Sequence, residues 1–133
     1  MPGIIVPIVE KRIFELSFLG SSATQDVVLH PALDVGAWFR VRLVVLVHQI
    51  TATSGNFVFK LQHTFPLEND RQEFVDTTDF LTTASITNAS PNIKTISGTD
   101  PQAFLKILLR ATQGTGGDTL YGEFSAYAVL RDV

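Results

Sequence analysis

The stretch FRVRLVVLVHQI, residues 39–50, decides the fold. Its first half alternates: Phe39, Val41 and Leu43 fall on one face of an extended chain, Arg40 and Arg42 on the other. Val44 and Leu46 then make the second face apolar as well. Period-two alternation in a run rich in Val, Ile and Phe specifies a strand. A strand that is apolar on both faces needs two covers, and a chain of 133 residues has few elements to supply the second.

Working outward, TATSGN (51–56) is a Ser-Gly-centred turn, and NFVFKLQHT after it alternates again. Phe57, Phe59, Leu61 and His63 share one face; Val58, Lys60, Gln62 and Thr64 share the other. Residues 38–64 therefore read as a long antiparallel hairpin. Upstream, IFELSFL (13–19) and DVVLH (26–30) read as strands, the second stopped by Pro31. Residues 65–100 are polar and broken, with short strands expected near 72–76, 82–87 and 92–97. DPQAFLKILLRATQG (100–114) fits a helix capped by Asp100 and ended by Gly114, or a strand with Ala103, Leu105, Ile107 and Leu109 on one side. The strand is favoured, because GTGGD and LYGEFSAYAVLRD follow as a turn and a last strand, making a second hairpin.

The sum is about seven to nine mostly antiparallel strands, an all-β chain best read as a β-sandwich or jelly roll. Its expected core is Phe39, Val41, Leu43, Val45, Val47, Phe57, Phe59, Leu61, Leu105, Ile107, Phe124 and Ala126. Residues 1–12 carry Pro2 and Pro7 among Ile4, Ile5, Val6, Ile8 and Val9. They are too apolar for a free tail. They read as a first strand of the domain or as an arm that docks on a neighbouring subunit. The organisation taken is an extended N-terminal arm at 1–12 and a β-sandwich domain at 13–133.

Composition points the same way. Charged residues make up 17% of the chain, against about 25% in a typical domain. Mean hydropathy is positive, at +0.23. Both suit a protein that hides surface against partners. The net charge of −3 gives no electrostatic case for nucleic acid as the main ligand. The absence of cysteine excludes a disulfide framework and thiolate zinc. The first residues have no basic segment before their apolar ones, so they do not read as a signal peptide. No apolar run approaches the ~20 residues of a membrane helix, so no membrane partner is expected.

Catalytic and cofactor patterns are missing, and no enzyme, cofactor or metal is expected. His30, His48 and His63 lack metal-ligand spacing, although His48 and His63 would face each other across the expected hairpin. Glu68, Asp70, Glu73, Asp76 and Asp79 cluster without a calcium-loop spacing and read as a solvated face. No nucleophile elbow is present, and GTGGD lies in no strand–loop–helix context of the kind a phosphate loop requires. Trp38, Tyr121 and Tyr127 are the candidates for a sugar-stacking platform, which would make the chain a glycan-binding module.

The order of features, a long strand ending in ITATSGNFVFKLQHT, a polar stretch with LENDRQEFVD and SIT, then FLKILLRATQGTGGDTLYGEFSAYAVL, resembles a known group. It is similar to the small β-sandwich virion structural proteins of tailed bacteriophages, in particular head-decoration or cement proteins. The resemblance covers residues 37–131 and is one of pattern: strand, T-x-T-S-G, strand, then strand, Q-G-T-G-G, strand. It implies a protein made in the host cytoplasm that sits on the head exterior of the virion. There it would bind the major capsid protein lattice as a homo-oligomer, a trimer or dimer, and stabilise the head. Other virion roles in the tail, connector or fibre attachment share the same requirements. On this view Val44 and Leu46 are oligomer-core residues, and Ile4, Ile5, Val6 and Ile8 are subunit or capsid contacts. The alternative is that a loop of the same chain covers Val44 and Leu46.

Overall fold

A computed structural model describes residues 3–17, 24–52, 55–66, 74–114 and 119–132. Eight strands follow one another: β1 (Gly3–Ser17), β2 (Thr24–Asp34), β3 (Arg40–Thr51), β4 (Asn56–Pro66), β5 (Phe74–Thr82), β6 (Ile93–Thr99), β7 (Phe104–Thr112) and β8 (Thr119–Arg131). They form two four-stranded sheets, one ordered β1-β8-β3-β6 and the other β2-β7-β4-β5. All strand pairs are antiparallel. Every step along the chain except β4 to β5 changes sheet, which is the jelly-roll arrangement of the β-sandwich.

This order corrects both expected hairpins. β3 pairs with β6 and β8, while β4 pairs with β5 and β7. β7 and β8 likewise lie in opposite sheets. Alternation states which residues face inward, and it reads the same whether the next strand lies beside the first or across the core. The β3–β4 crossing passes close to the β7 end, where Gly55 has no room for a side chain: a Cβ there would lie 2.4 Å from the Thr112 carbonyl oxygen.

Residues 100–114 contribute β7, so the favoured strand holds. β2 runs to Asp34, past the expected stop at Pro31. Register shifts on either side of His30 absorb the proline, and β2 is an edge strand, where a missing N–H is tolerated. The expected strand at 82–87 reduces to the end of β5 and one bridge between Ile86 and Phe57. β1 runs through residue 12. β1 is one edge strand whose residues 3–17 pair along β8 from Arg131 to Thr119, with bulges after Pro7 and after Val9. Lys11, at φ 47°, sits in the second bulge. Pairing with β8 takes up the backbone groups of the apolar segment that face β8.

Eleven of the twelve expected core residues are buried, as the core cluster from Val41 to Ala126 shows. The exception is Phe39, 49% exposed, which precedes β3 and hydrogen-bonds through its N–H to the Arg131 carbonyl at the sandwich's end. Phe124 occupies the middle of the core, its ring edge-on to Phe57 and Phe59 at centroid distances of 5.2 and 5.4 Å and tilted to Phe14 at 6.2 Å. Such geometry adds about 0.5–1.5 kcal/mol per pair beyond burial.

Candidate functional site

The inner faces share one core, so among the described strands the two outer faces are the broad surfaces open to a partner. These are finished very differently. On the β2-β7-β4-β5 sheet, Leu108 points outward in register with Val28 and Lys60, yet it is only 2% exposed. Charged side chains with long aliphatic stems surround it. Arg110 grips Asp26 with two hydrogen bonds, Nε to Oδ1 at 2.7 Å and Nη2 to Oδ2 at 2.9 Å. Those bonds hold the Asp26 carboxyl below its usual range. Lys60 meets Asp79 at 2.9 Å, and Gln62 donates to the same carboxylate at 3.0 Å. The two contacts hold Asp79 low in the same way. Arg110 and Lys60 on this sheet are thus each neutralised by an acid of the same sheet.

The outer face of the β1-β8-β3-β6 sheet is left open. Reading across the register, Pro7, Tyr127, Val44 and Thr95 form one row. Leu46 lies next to it, flanked by Ser125 and Ile93. On the other side come Ile5, Val129, Arg42 and Ser97. Ile5 is 67% and Ile93 52% exposed, while Val44, Leu46, Tyr127 and Val129 are half-buried. No described residue of the chain covers Val44 and Leu46 fully.

At one end of this face Arg40 and Arg131 are direct cross-strand partners, with Arg42 in the next row. Like charges in that relation repel. They border a groove of ≈ 330 Å³ floored by Ile5, Val44 and Val129. Among the described residues, none of the three guanidinium groups has an ion-pair partner. At the opposite end Glu123 pairs in register with Ile13, and Glu15 with Tyr121. The face is therefore basic at one end, apolar in the middle and acidic at the other.

Between the two ends, Ser125 is 2% exposed although it points outward. Its Oγ accepts the backbone N–H of Lys11 at 2.9 Å and lies 2.8 Å from His48 Nε2. A serine beside an imidazole invites comparison with a nucleophile and its base. The hydroxyl is instead sealed under the β1 bulge, and its bond to Lys11 fixes that bulge against β8 and β3. His48 and His63 do not meet, because β3 and β4 lie in different sheets; His63 stacks near Phe80, at 5.1 Å. Among the described residues no group of three His, Asp or Glu side chains is gathered to hold a metal. Of the acidic cluster, Glu68, Asp70 and Glu73 lie outside the described residues.

The expected contact residues divide. Ile5, Val44 and Leu46 come together on the open face. Ile4, Val6 and Ile8 do not join them: Ile4 and Val6 pair with the inward residues Leu130 and Ala128, and Val6 and Ile8 pack against the core. The aromatic trio is not assembled. Trp38 packs on the core beyond the Arg131 end, whereas Tyr121 is ten positions away along β8, roughly 33 Å. Tyr127 lies between them on the open face. The sequence reading places Glu123 and Val129 with Tyr127 on one face of the last strand, an outer sheet face or subunit contact, but does not single out Arg40, Arg42 and Arg131 as contact residues. The phase of Arg40 and Arg42 with Val44 and Leu46 is legible there, but the meeting with Arg131 depends on the β3–β8 register.

No family model matches the chain, and no curated protein matches it. Solved structures do. The chain is similar to the structure of infectious bursal disease virus Gx strain, at 12% identity and a TM-score of 0.59, over 97% of this chain and 31% of that one. The VP2 subviral particle of the same virus gives 13% identity and a TM-score of 0.54, over 98% and 33%. The T=1 particles derived from infectious bursal virus give 14% and 0.57, over 98% and 31%. The chain thus spans about a third of the length of the proteins it matches. At these identities the likeness is one of fold: the whole described sandwich is a jelly roll of the kind found in those virus particles.

Proposed function

We propose that this chain is a virion structural protein that acts by binding and not by catalysis. The observation that carries the reading is the jelly roll itself, matched end to end in proteins that build virus particles. The open apolar face of the β1-β8-β3-β6 sheet supports it, because a protein working by contact needs such a surface. The finer reading is a cement or decoration protein on the head exterior. It would bind the major capsid protein lattice and stabilise the head, as the resemblance to tailed-phage proteins implies. Many modest apolar contacts, each about 25 cal/mol per Å² buried, become strong when a lattice repeats them.

A second reading has its own support. The matched proteins are named for the particles they form, which favours a shell-building role over decoration. Copy number separates the two. Particles from the source are banded on a density gradient and this chain is quantified by mass spectrometry against the most abundant shell protein. Hundreds of copies beside a distinct major capsid protein support cement. This chain as the most abundant shell component supports shell building. A handful of copies places it at a vertex, connector or tail, and absence from particles overturns the virion reading.

A further inference from the structure

We infer that the open face of the β1-β8-β3-β6 sheet is a self-complementary interface, through which two copies of this chain pack face to face about a two-fold axis. The argument starts from the spacing of charge along β8. Arg131 lies four positions to one side of Tyr127, and Glu123 lies four positions to the other. Four is an even step, so all three side chains point to the same face. A two-fold axis lying in that face, across the strands at the Tyr127–Val44 row, reverses strand direction in the second copy. It sets Arg131 of each copy over Glu123 of the other. It also brings the apolar middle, Tyr127 and Val44 with Leu46 beside them, against itself.

Four features of the molecule fit this arrangement. Arg40, Arg42 and Arg131 have no carboxylate among the described residues of their own chain, whereas the opposite sheet pairs its cations internally. The direct Arg40–Arg131 pairing is repulsive in an isolated copy and is relieved by an acid from outside. The groove of ≈ 330 Å³ at this end has an apolar floor, ready to take the partner's side chains from the Leu46 and Glu123 rows. The face is also large enough. Four strands at about 4.8 Å and eleven residues at about 3.3 Å give roughly 700 Å² in projection, on the order of the about 800 Å² per partner of a stable interface. The other face-to-face two-fold, with its axis in the face and along the strands, is excluded by charge, since it would set the arginine end of one copy against that of the other. A nucleic-acid ligand fits poorly, because Glu123 and Glu15 occupy the same face and no aromatic ring lines the groove.

The test is a charge exchange read by sedimentation velocity and light scattering on the full chain. The wild type is expected to be a dimer at micromolar concentration. Arg131→Glu and Glu123→Arg should each weaken dimerisation at least tenfold, and the double exchange should restore it. Val44→Asp, on the axis, should give a monomer. Circular dichroism melts of every variant control for folding. A wild type that stays monomeric overturns the inference, as does a trimer. So does a dimer that ignores these substitutions, or a double exchange that fails to recover. The result is independent of the virion reading: a monomer that still bands with particles overturns only the dimer, and a dimer absent from particles overturns only the virion role.

Discussion

Gly122→Ala tests the packing at the centre of the sandwich. Gly122 points inward on β8, two residues before Phe124. A Cβ added there would lie 2.4 Å from Phe124 Cε2 and 2.7 Å from Cζ, with Phe57 Cε2 at 3.3 Å. The Phe124 ring cannot swing aside, because Phe57 and Phe59 meet it edge-on at 5.2 and 5.4 Å and all three rings are fully buried. Overpacking of this kind costs about 1–3 kcal/mol, and a boxed ring belongs in the upper half of that range. Removing a glycine also makes the unfolded chain less flexible, which returns about 0.5 kcal/mol. The net expectation is a loss of about 1.5–2.5 kcal/mol. Unfolding entropy of about 2.1 cal/mol/K per residue gives about 0.28 kcal/mol/K for 133 residues, so Tm should fall by about 5–9 °C. Differential scanning calorimetry and urea titration both read this. The stronger check is Phe124→Leu, which opens the space beside residue 122. In that background Gly122→Ala should cost at least about 1 kcal/mol less than in the wild type. Additivity within about 0.5 kcal/mol, or an unchanged Tm for Gly122→Ala, would refute the packing argument.

Two further predictions concern polar groups. Ser125→Ala removes the acceptor of the Lys11 N–H and the partner of His48, and should cost about 1–3 kcal/mol. Amide hydrogen exchange at Lys11 should accelerate with it, and an unchanged Lys11 amide would show that the bulge is fixed by other contacts. His30 has its pKa lowered from 6.5 by burial, and its Nδ1 has no partner among the described residues. The unfolded chain therefore takes up a proton that the folded chain resists. His30 leaves stability intact above about pH 6.5 and reduces it as pH falls below that value. Urea midpoints at pH 7.5 and 5.5 should show the drop, and His30→Gln should flatten it. Asp26 and Asp79 do not confuse the result, since their lowered pKa values move their own losses to more acidic pH. An equal drop in His30→Gln would assign the effect elsewhere.

Much of the fold is legible in local pattern. The inward phase of β3, β4, β7 and β8 follows directly from alternation at Val41–Val47, Phe57–Leu61, Leu105–Leu109 and Phe124–Ala126. Topology is not legible in the same way. A short Ser-Gly turn joins strands within a sheet or across two, and only the assembled ladders decide which. The bulges carry the same lesson. Pro31 ends a strand in isolation, but an edge position and two register shifts let β2 continue past it. Among the candidate contacts, Val44 and Leu46 were readable because they break the polar phase of Arg40 and Arg42 within one strand. Ile4 and Val6 were not separable from Ile5, since a run that is apolar at every position shows no alternation, and Ile8 lies in a bulge that its own sequence does not mark. The arginine end escaped notice because its members are about 90 residues apart and meet only through the β3–β8 register.

The β1–β8 ladder also fixes where the chain enters and leaves the sandwich. Gly3 stands opposite Arg131, and cross-strand neighbours lie only about 5 Å apart. Entry and exit therefore share one corner, and it is the arginine corner of the open face. A purification tag or fused reporter at either end would hang over Arg131 and crowd whatever docks there. A label meant to leave that surface free belongs at the far end of the sandwich, beyond Glu123. The same geometry makes the sandwich a cassette, with both junctions a strand-spacing apart at one corner.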